Sequence, residues 1–170
     1  TAVTFVLGRG PVPSANAGPI SVTRIVERQD LADANRLVAY FHPEDPQSFP
    51  GSTANQASTA LFQSLAKGEA APFVFGIAAG PLGLLGSRKY YRGTLQRVEA
   101  GTVPISVLLN GVRTQLPSIH VRGTLKVGDD AGEAQFWWLD QADNAMALRW
   151  TFKDSGVQVI RIDTPTALAE

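Results

Sequence analysis

The stretch Phe136–Trp150, FWWLDQADNAMALRW, decides how this chain folds. It contains all three tryptophans of the chain. Trp137 and Trp138 are adjacent, and neighbouring side chains on a β-strand point to opposite faces. One indole therefore enters a given core and the other leaves it. The residues after the Asp143-Asn144 turn frame the choice. Met146, Leu148, Trp150 and Phe152 alternate with Ala147, Arg149, Thr151 and Lys153, which predicts a strand with one apolar and one polar face. The tryptophan outside the apolar face then sits beside Arg149, and a one-residue slip exchanges the two indoles. A guanidinium over an exposed indole contributes about 0.5–1 kcal/mol.

This hairpin supplies the candidate ligand-binding residues: Trp137, Trp138, Arg149 and, in the turn, Asp140. Trp and Arg are favoured at interface hot spots, and an aromatic platform with polar neighbours suits flat ligands or sugars. The competing expectation is structural: a helix or the apolar loop AAGPLGLLG at 78–86 covers the second indole. The turn LDQADN at 139–144 has carboxylates at positions 1 and 4 and lacks the glycine and glutamate of a calcium loop, so it reads as a structural hairpin loop.

Outward from this hairpin, period-2 alternation recurs. AVTFVL (2–7) and ISVTRIVE (20–27) read as strands around a Gly/Pro loop. FVFGI, KYYRGTLQRV, VPISVLL, VRTQLPSI, IHVRGTLKV, EAQFWWL, MALRWTFK and VQVIRID follow from residue 73 onward. Asn110-Gly111 is a strong hairpin signal that favours a type I′ turn. Helical periodicity predicts a helix at about 31–41 behind an Asp30 cap. A second is predicted at about 54–67, with Thr53 and Gln56 as a capping box and Gly68 past its end. The expected fold class is α+β: a mainly antiparallel β-meander, as a bent sheet, half-barrel or sandwich, with two short helices between residues 30 and 68. One β-rich domain spans 1–163, and 164–170 is a tail or linker.

The composition narrows the function. Fifteen basic and fifteen acidic residues balance, which argues against a nucleic-acid partner, since such binding needs a basic field. There is no cysteine, so thiol nucleophiles, disulfides and thiolate metal sites are excluded. No apolar run is long enough to span a membrane as a helix. His42 lies in a proline-broken loop beside Glu44 and Asp45, and His120 lies on the polar face of a strand. Either becomes a general base only with a nucleophile and an orienting carboxylate beside it. The spacing matches no metal or phosphate-loop motif, so no cofactor or metal is expected.

Three segments also carry a resemblance. YRGTLQRVEAGTVPISVLLNGVRTQLPSIHVRG (91–123), FWWLDQADNAMALRW (136–150) and VQVIRI (157–162) resemble a region upstream of the OmpA-type peptidoglycan-binding domain in Gram-negative envelope proteins. FPGSTA (49–54) is similar to a segment ahead of them. Together they cover roughly residues 49–162. The chain departs from that pattern at Ala145, where the pattern has proline. The resemblance implies a periplasmic or envelope setting and brings no catalytic residue with it. The function expected is a non-catalytic envelope domain that binds a protein, peptidoglycan (or another glycan) or lipid partner. The alternatives are a hydrolase with a histidine base, and a carrier with an apolar cavity.

Overall fold

The computed structural model describes residues 2–7, 20–39, 47–78 and 88–163. It shows the expected class: mainly strand, with a curled, half-barrel mixed sheet and two short helices. In chain order the elements are β1 (Ala2–Leu7), β2 (Ile20–Ile25), α1 (Arg28–Asp33), β3 (Arg36–Ala39), β4 (Gln47–Ser48) and α2 (Thr59–Ala66). Then follow β5 (Ala71–Ala78), β6 (Arg88–Arg97), β7 (Val103–Leu109), β8 (Val112–Val127), β9 (Asp130–Leu139), β10 (Ala147–Phe152), β11 (Ser155–Gln158) and β12 (Arg161–Ile162). Strands β1, β2 and β4 form a small sheet. The others form the large one, in the order β11-β10-β9-β8-β6-β5-β3, with β7 on β8 and β12 on β7. No helix of the described residues is long and apolar enough to cross a membrane.

The meander is built by short turns. Asn110 and Gly111 both have positive φ, 49° and 84°, as a type I′ turn requires. Strand β8 is longer than either run expected there. Its first half pairs with β7, and its second half lies between β6 and β9. Two glycines let β6 and β8 approach. A Cβ on Gly123 would lie 2.0 Å from the Thr94 carbonyl oxygen, and one on Gly93 would lie 2.2 Å from that of Thr124. Only a residue without a side chain fits such an approach.

In β10 the structure departs from simple alternation. Ala147 pairs with Trp138 but Arg149 pairs with Trp137, so Leu148 is an extra residue, a β-bulge. Before the bulge, Ala145 and Ala147 face the main core; after it, Trp150 and Phe152 do. Leu148 and Met146 turn instead to the opposite face. The expected single apolar stripe of Met146, Leu148, Trp150 and Phe152 is thereby corrected: the bulge moves it half a period. Leu148 is fully buried there with Ile105, Val107 and Leu139, in a second, smaller cluster.

The main core lies between the sheet and α2, which contributes Leu61, Phe62 and Leu65. Phe75 is at its centre, edge-on to Phe136, Trp150 and Phe152 at 5.2–5.7 Å. Such pairs add about 0.5–1.5 kcal/mol each beyond the area they bury.

Both helices differ from their expected bounds. The helix expected at 31–41 ends at Asp33, and Arg36–Ala39 is strand β3, parallel to β5. Leu37, Val38 and Ala39 are all buried. A strand covered on both faces reads as a continuous apolar run, which periodicity does not separate from a helix. Helix α2 starts at Thr59, not Ala54, with the Ser58 hydroxyl accepting from the Leu61 N–H at 3.2 Å. Thr53 is not its cap; its hydroxyl donates to the Gln56 carbonyl at 2.6 Å.

The segment 52–57 has another task. The Thr53 N–H donates to the Arg36 carbonyl, and the Ala147 N–H donates to that of Asn55, at 2.8 and 2.7 Å. The segment therefore ties β3, at one end of the large sheet, to the entrance of β10 near the other. Ala145, the point of departure from the resembled pattern, is buried there and accepts from the Ala57 N–H at 2.9 Å. The small sheet is joined to the large one by Arg24. Its guanidinium is buried over the Phe49 ring at 3.9 Å and reaches the Val38 carbonyl. Burial, and then the Arg88 charge, push it down to about 10.

The second cluster makes a measurable contribution. Leu148→Ala is expected to cost about 2–5 kcal/mol in a urea titration, as truncation of a fully buried leucine does. Leu108→Ala, on the exposed side of β7, should stay within about 0.5 kcal/mol of wild type.

Candidate functional site

Strand β9 lies between β8 and β10, with His120 and Arg149 as the register partners of Trp137. All three side chains leave the sheet on the face opposite the main core. The His120 ring is parallel to the indole, at 4.3 Å between centroids and 7° between planes. The Arg149 guanidinium lies 4.7 Å from the same ring. The indole of Trp137 is thus bracketed by its two neighbouring strands and half-buried. Trp138 points the other way. It is fully buried against Phe73 and Phe136.

Of the four expected ligand-binding residues, the fold unites Trp137 and Arg149. It sends Trp138 to the core, where its side chain reaches no ligand. Asp140 lies one residue past β9, exposed, with its backbone N–H on the Pro117 carbonyl. Among the described residues its carboxylate joins neither Trp137 nor Arg149. Of the expected covers for the second indole, neither helix of the described residues is one; His120 and Arg149 on the neighbouring strands bracket it. The 79–87 part of the apolar loop lies outside the described residues, as does His42.

His120 is held from both ring nitrogens. Nδ1 is 3.3 Å from Glu99 Oε1, and Nε2 is 3.0 Å from Gln135 Oε1. Gln135 donates through Nε2 to Glu133 Oε1 at 2.7 Å. That orientation turns the amide oxygen toward the imidazole Nε2. A histidine base needs one nitrogen oriented and the other open toward a nucleophile. Glu99 supplies the orienting carboxylate, but Gln135 occupies the other nitrogen. The arrangement holds the imidazole flat against Trp137.

Next to this stack, rows of side chains continue across the same face. The cross-strand row Gln96–Arg122–Gln135–Thr151 follows from the register. Beyond it lie Thr94, Thr124 and Glu133. Thr94, Gln96, Arg122, Gly123, Thr124 and Glu133 line an open depression of about 350 Å³. The lining is hydroxyl, amide and charge, which is the wrong chemistry for the apolar ligand of a carrier.

A second polar cluster was not legible in the sequence. Asp130, at the start of β9, accepts from Lys89 Nζ at 3.1 Å, from Tyr91 Oη at 2.7 Å, and from Lys153. These residues come from three separate hairpins, and no local spacing signals their meeting. Lys89 and Tyr91 belong to the strand read as KYYRGTLQRV and lie two residues apart on β6. No protein family, curated protein or solved structure matches the chain.

The Lys153 hydrogen bond, then those from Tyr91 and Lys89, hold the Asp130 carboxyl well below its usual value of 3.8. A depressed carboxylate pKa stabilises the fold above the unfolded-state value and ceases to do so as pH falls through the folded-state value. Asp130→Asn should therefore lower stability at neutral pH. It should also flatten the loss of stability below about pH 4. Urea unfolding of both proteins between neutral and acidic pH checks this; parallel pH profiles would mean that the cluster contributes nothing.

Proposed function

We propose that the chain is a non-catalytic binding domain of the Gram-negative envelope, and that its partner docks on the sheet face carrying Trp137. The observation that carries this reading is the bracketed indole. Trp137 is bracketed by His120 and Arg149 where the second apolar cluster gives way to the polar, exposed rows of the same face. A large side chain fixed before binding loses little conformational entropy on association, and Trp with Arg is the pairing favoured at interface hot spots. The envelope setting is supported by the resemblance of residues 49–162 to the region upstream of OmpA-type domains.

Among a protein, a glycan and a lipid partner, the face fits a glycan best. Around the depression it presents hydroxyls, amides and charges of both signs, the groups a glycan rather than a lipid would engage. Both ring faces of Trp137 are occupied, so a sugar would meet the indole edge and the outer side of Arg149 rather than stack on the ring.

Co-sedimentation with purified peptidoglycan sacculi tests the reading. The protein should pellet with sacculi, and Arg149→Ala should reduce the bound fraction at least about fivefold, since a hot-spot truncation costs more than about 1 kcal/mol. Equal retention of both proteins would remove this face from the proposal. Turnover of a p-nitrophenyl ester that disappears in His120→Ala would instead support the hydrolase reading.

A further inference from the structure

On the same face, three cations form no ion pair among the described residues. Arg92 and Lys126 are direct cross-strand partners on β6 and β8, both exposed. Their outer neighbours in the row are Val74 on β5 and Ala131 on β9. Like charges directly opposite one another destabilise a sheet, and neither side of this row offers relief. Arg122, four residues along β8 from Lys126, stands between Gln96 and Gln135. None of Arg92, Arg122 and Lys126 forms an ion pair or a side-chain hydrogen bond among the described residues. Other cations are engaged: Lys89 and Lys153 by Asp130, Arg161 by Asp163, and Arg97 by backbone carbonyls. The chain has as many acidic as basic residues, so the surplus here arises from placement.

Arg122 lines the depression, and Arg92 and Lys126 form the cross-strand row next beyond its threonines. Lys126 and Arg122 are about 13 Å apart along the strand, with Thr124 between them and Thr94 on the adjoining strand. Arginine and lysine side chains at that spacing are long enough to reach a group seated over the two threonines. Such a group would receive charge-assisted hydrogen bonds from a guanidinium and hydrogen bonds from two hydroxyls, the set that recognises an oxyanion. Glu133 and Gln96 at the rim add acceptors for hydroxyl donors. A carboxylate in the lining disfavours a continuous polyanion or an anionic membrane surface. It is compatible with a ligand that carries one acidic group among several hydroxyls.

We propose that the depression between β6, β8 and β9 binds an acidic saccharide unit, its carboxylate or phosphate held by Arg122 with Arg92 or Lys126. This rests on the reading of the face as a glycan-docking surface and names the chemistry that the surface selects.

The test is titration of the isotope-labelled chain, followed by backbone amide shifts, with trigalacturonate, with its methyl ester, with glucose 6-phosphate, and with phosphatidylglycerol vesicles. The expected result is saturable shifts at Thr94, Gln96, Arg122 and Thr124 with an acidic sugar and none with the ester. Whether trigalacturonate or glucose 6-phosphate gives the response distinguishes a carboxylate from a phosphate source. Arg122→Ala should weaken binding about tenfold, the loss of a charge-assisted contact, and Lys126→Ala should weaken it less. Arg113→Ala, an exposed cation at the far end of β8, should leave it unchanged. Matching unfolding midpoints for the variants identify any loss as one of binding. The inference is overturned if the ester binds as well as the acid, or if Arg113→Ala weakens binding as much as Arg122→Ala. It is also overturned if only vesicles bind, or if neither acidic sugar binds. Shifts on this face with the ester would leave the docking surface standing and remove the charge selection. Failure of both acidic sugars while sacculi still bind would remove the inference alone.

Discussion

The bulge at Leu148 controls both faces of the sheet. Without an extra residue, a strand that places Ala147 on the core side would place Arg149 there too. With it, Ala147 faces the core and Arg149 faces solvent, across from Trp138 and Trp137 respectively. That half-period step brings Trp150 and Phe152 against Phe75 in the main core. It also frees Leu148 to anchor the second cluster with Ile105 and Val107 of β7. The indoles of β9 alternate by themselves; the insertion in β10 is what matches Ala147 to the inner one and Arg149 to the outer one.

The same position explains why the termini of the large sheet come together. Ala145 and Ala147, just before the bulge, exchange backbone hydrogen bonds with residues 55–57, and Thr53 bonds to β3. A curled sheet otherwise leaves edge groups unpaired. Here a short buried segment satisfies backbone groups of β3, at one end of the strand order, and of β10, next to the other end. Asn55 holds a positive φ of 50° inside that segment and adds a side-chain bond to the Ala147 carbonyl. Asparagine tolerates such a backbone conformation better than most residues.

Much of the architecture was legible, because strands, turns and composition are local signals. The Asn110-Gly111 turn, the alternation of Ile119, Val121 and Leu125 toward the core, and the pairing of one tryptophan with Arg149 all follow from period and turn chemistry. What failed was non-local. Residues 36–39 read as helix because a strand buried on both faces loses its alternation. Thr53 read as a cap because its partner β3 is close only in the folded chain. A bulge leaves no mark in a run such as AMALRW, since small and apolar residues suit either face. At the site, Arg149 and Trp137 were within reach of pattern reasoning. Glu99, Gln135 and the cation surplus of Arg92, Arg122 and Lys126 depend on cross-strand register and were not. The resulting division is physical: one face packs aromatics against α2, and the other carries a smaller apolar cluster at one end and polar and charged rows at the other, with the Trp137 indole between them.

The central claim is that β9 alternation sends Trp138 inward and Trp137 outward, and that the β10 bulge sets Arg149 beside Trp137, opposite His120. Side-chain nuclear Overhauser effects measure this directly. Trp137 ring protons should show cross-peaks to the His120 ring and to the Arg149 methylenes, while Trp138 ring protons should show them to Phe73 and Phe136. Cross-peaks joining Trp138 to His120, or Trp137 to Phe73, would contradict the account.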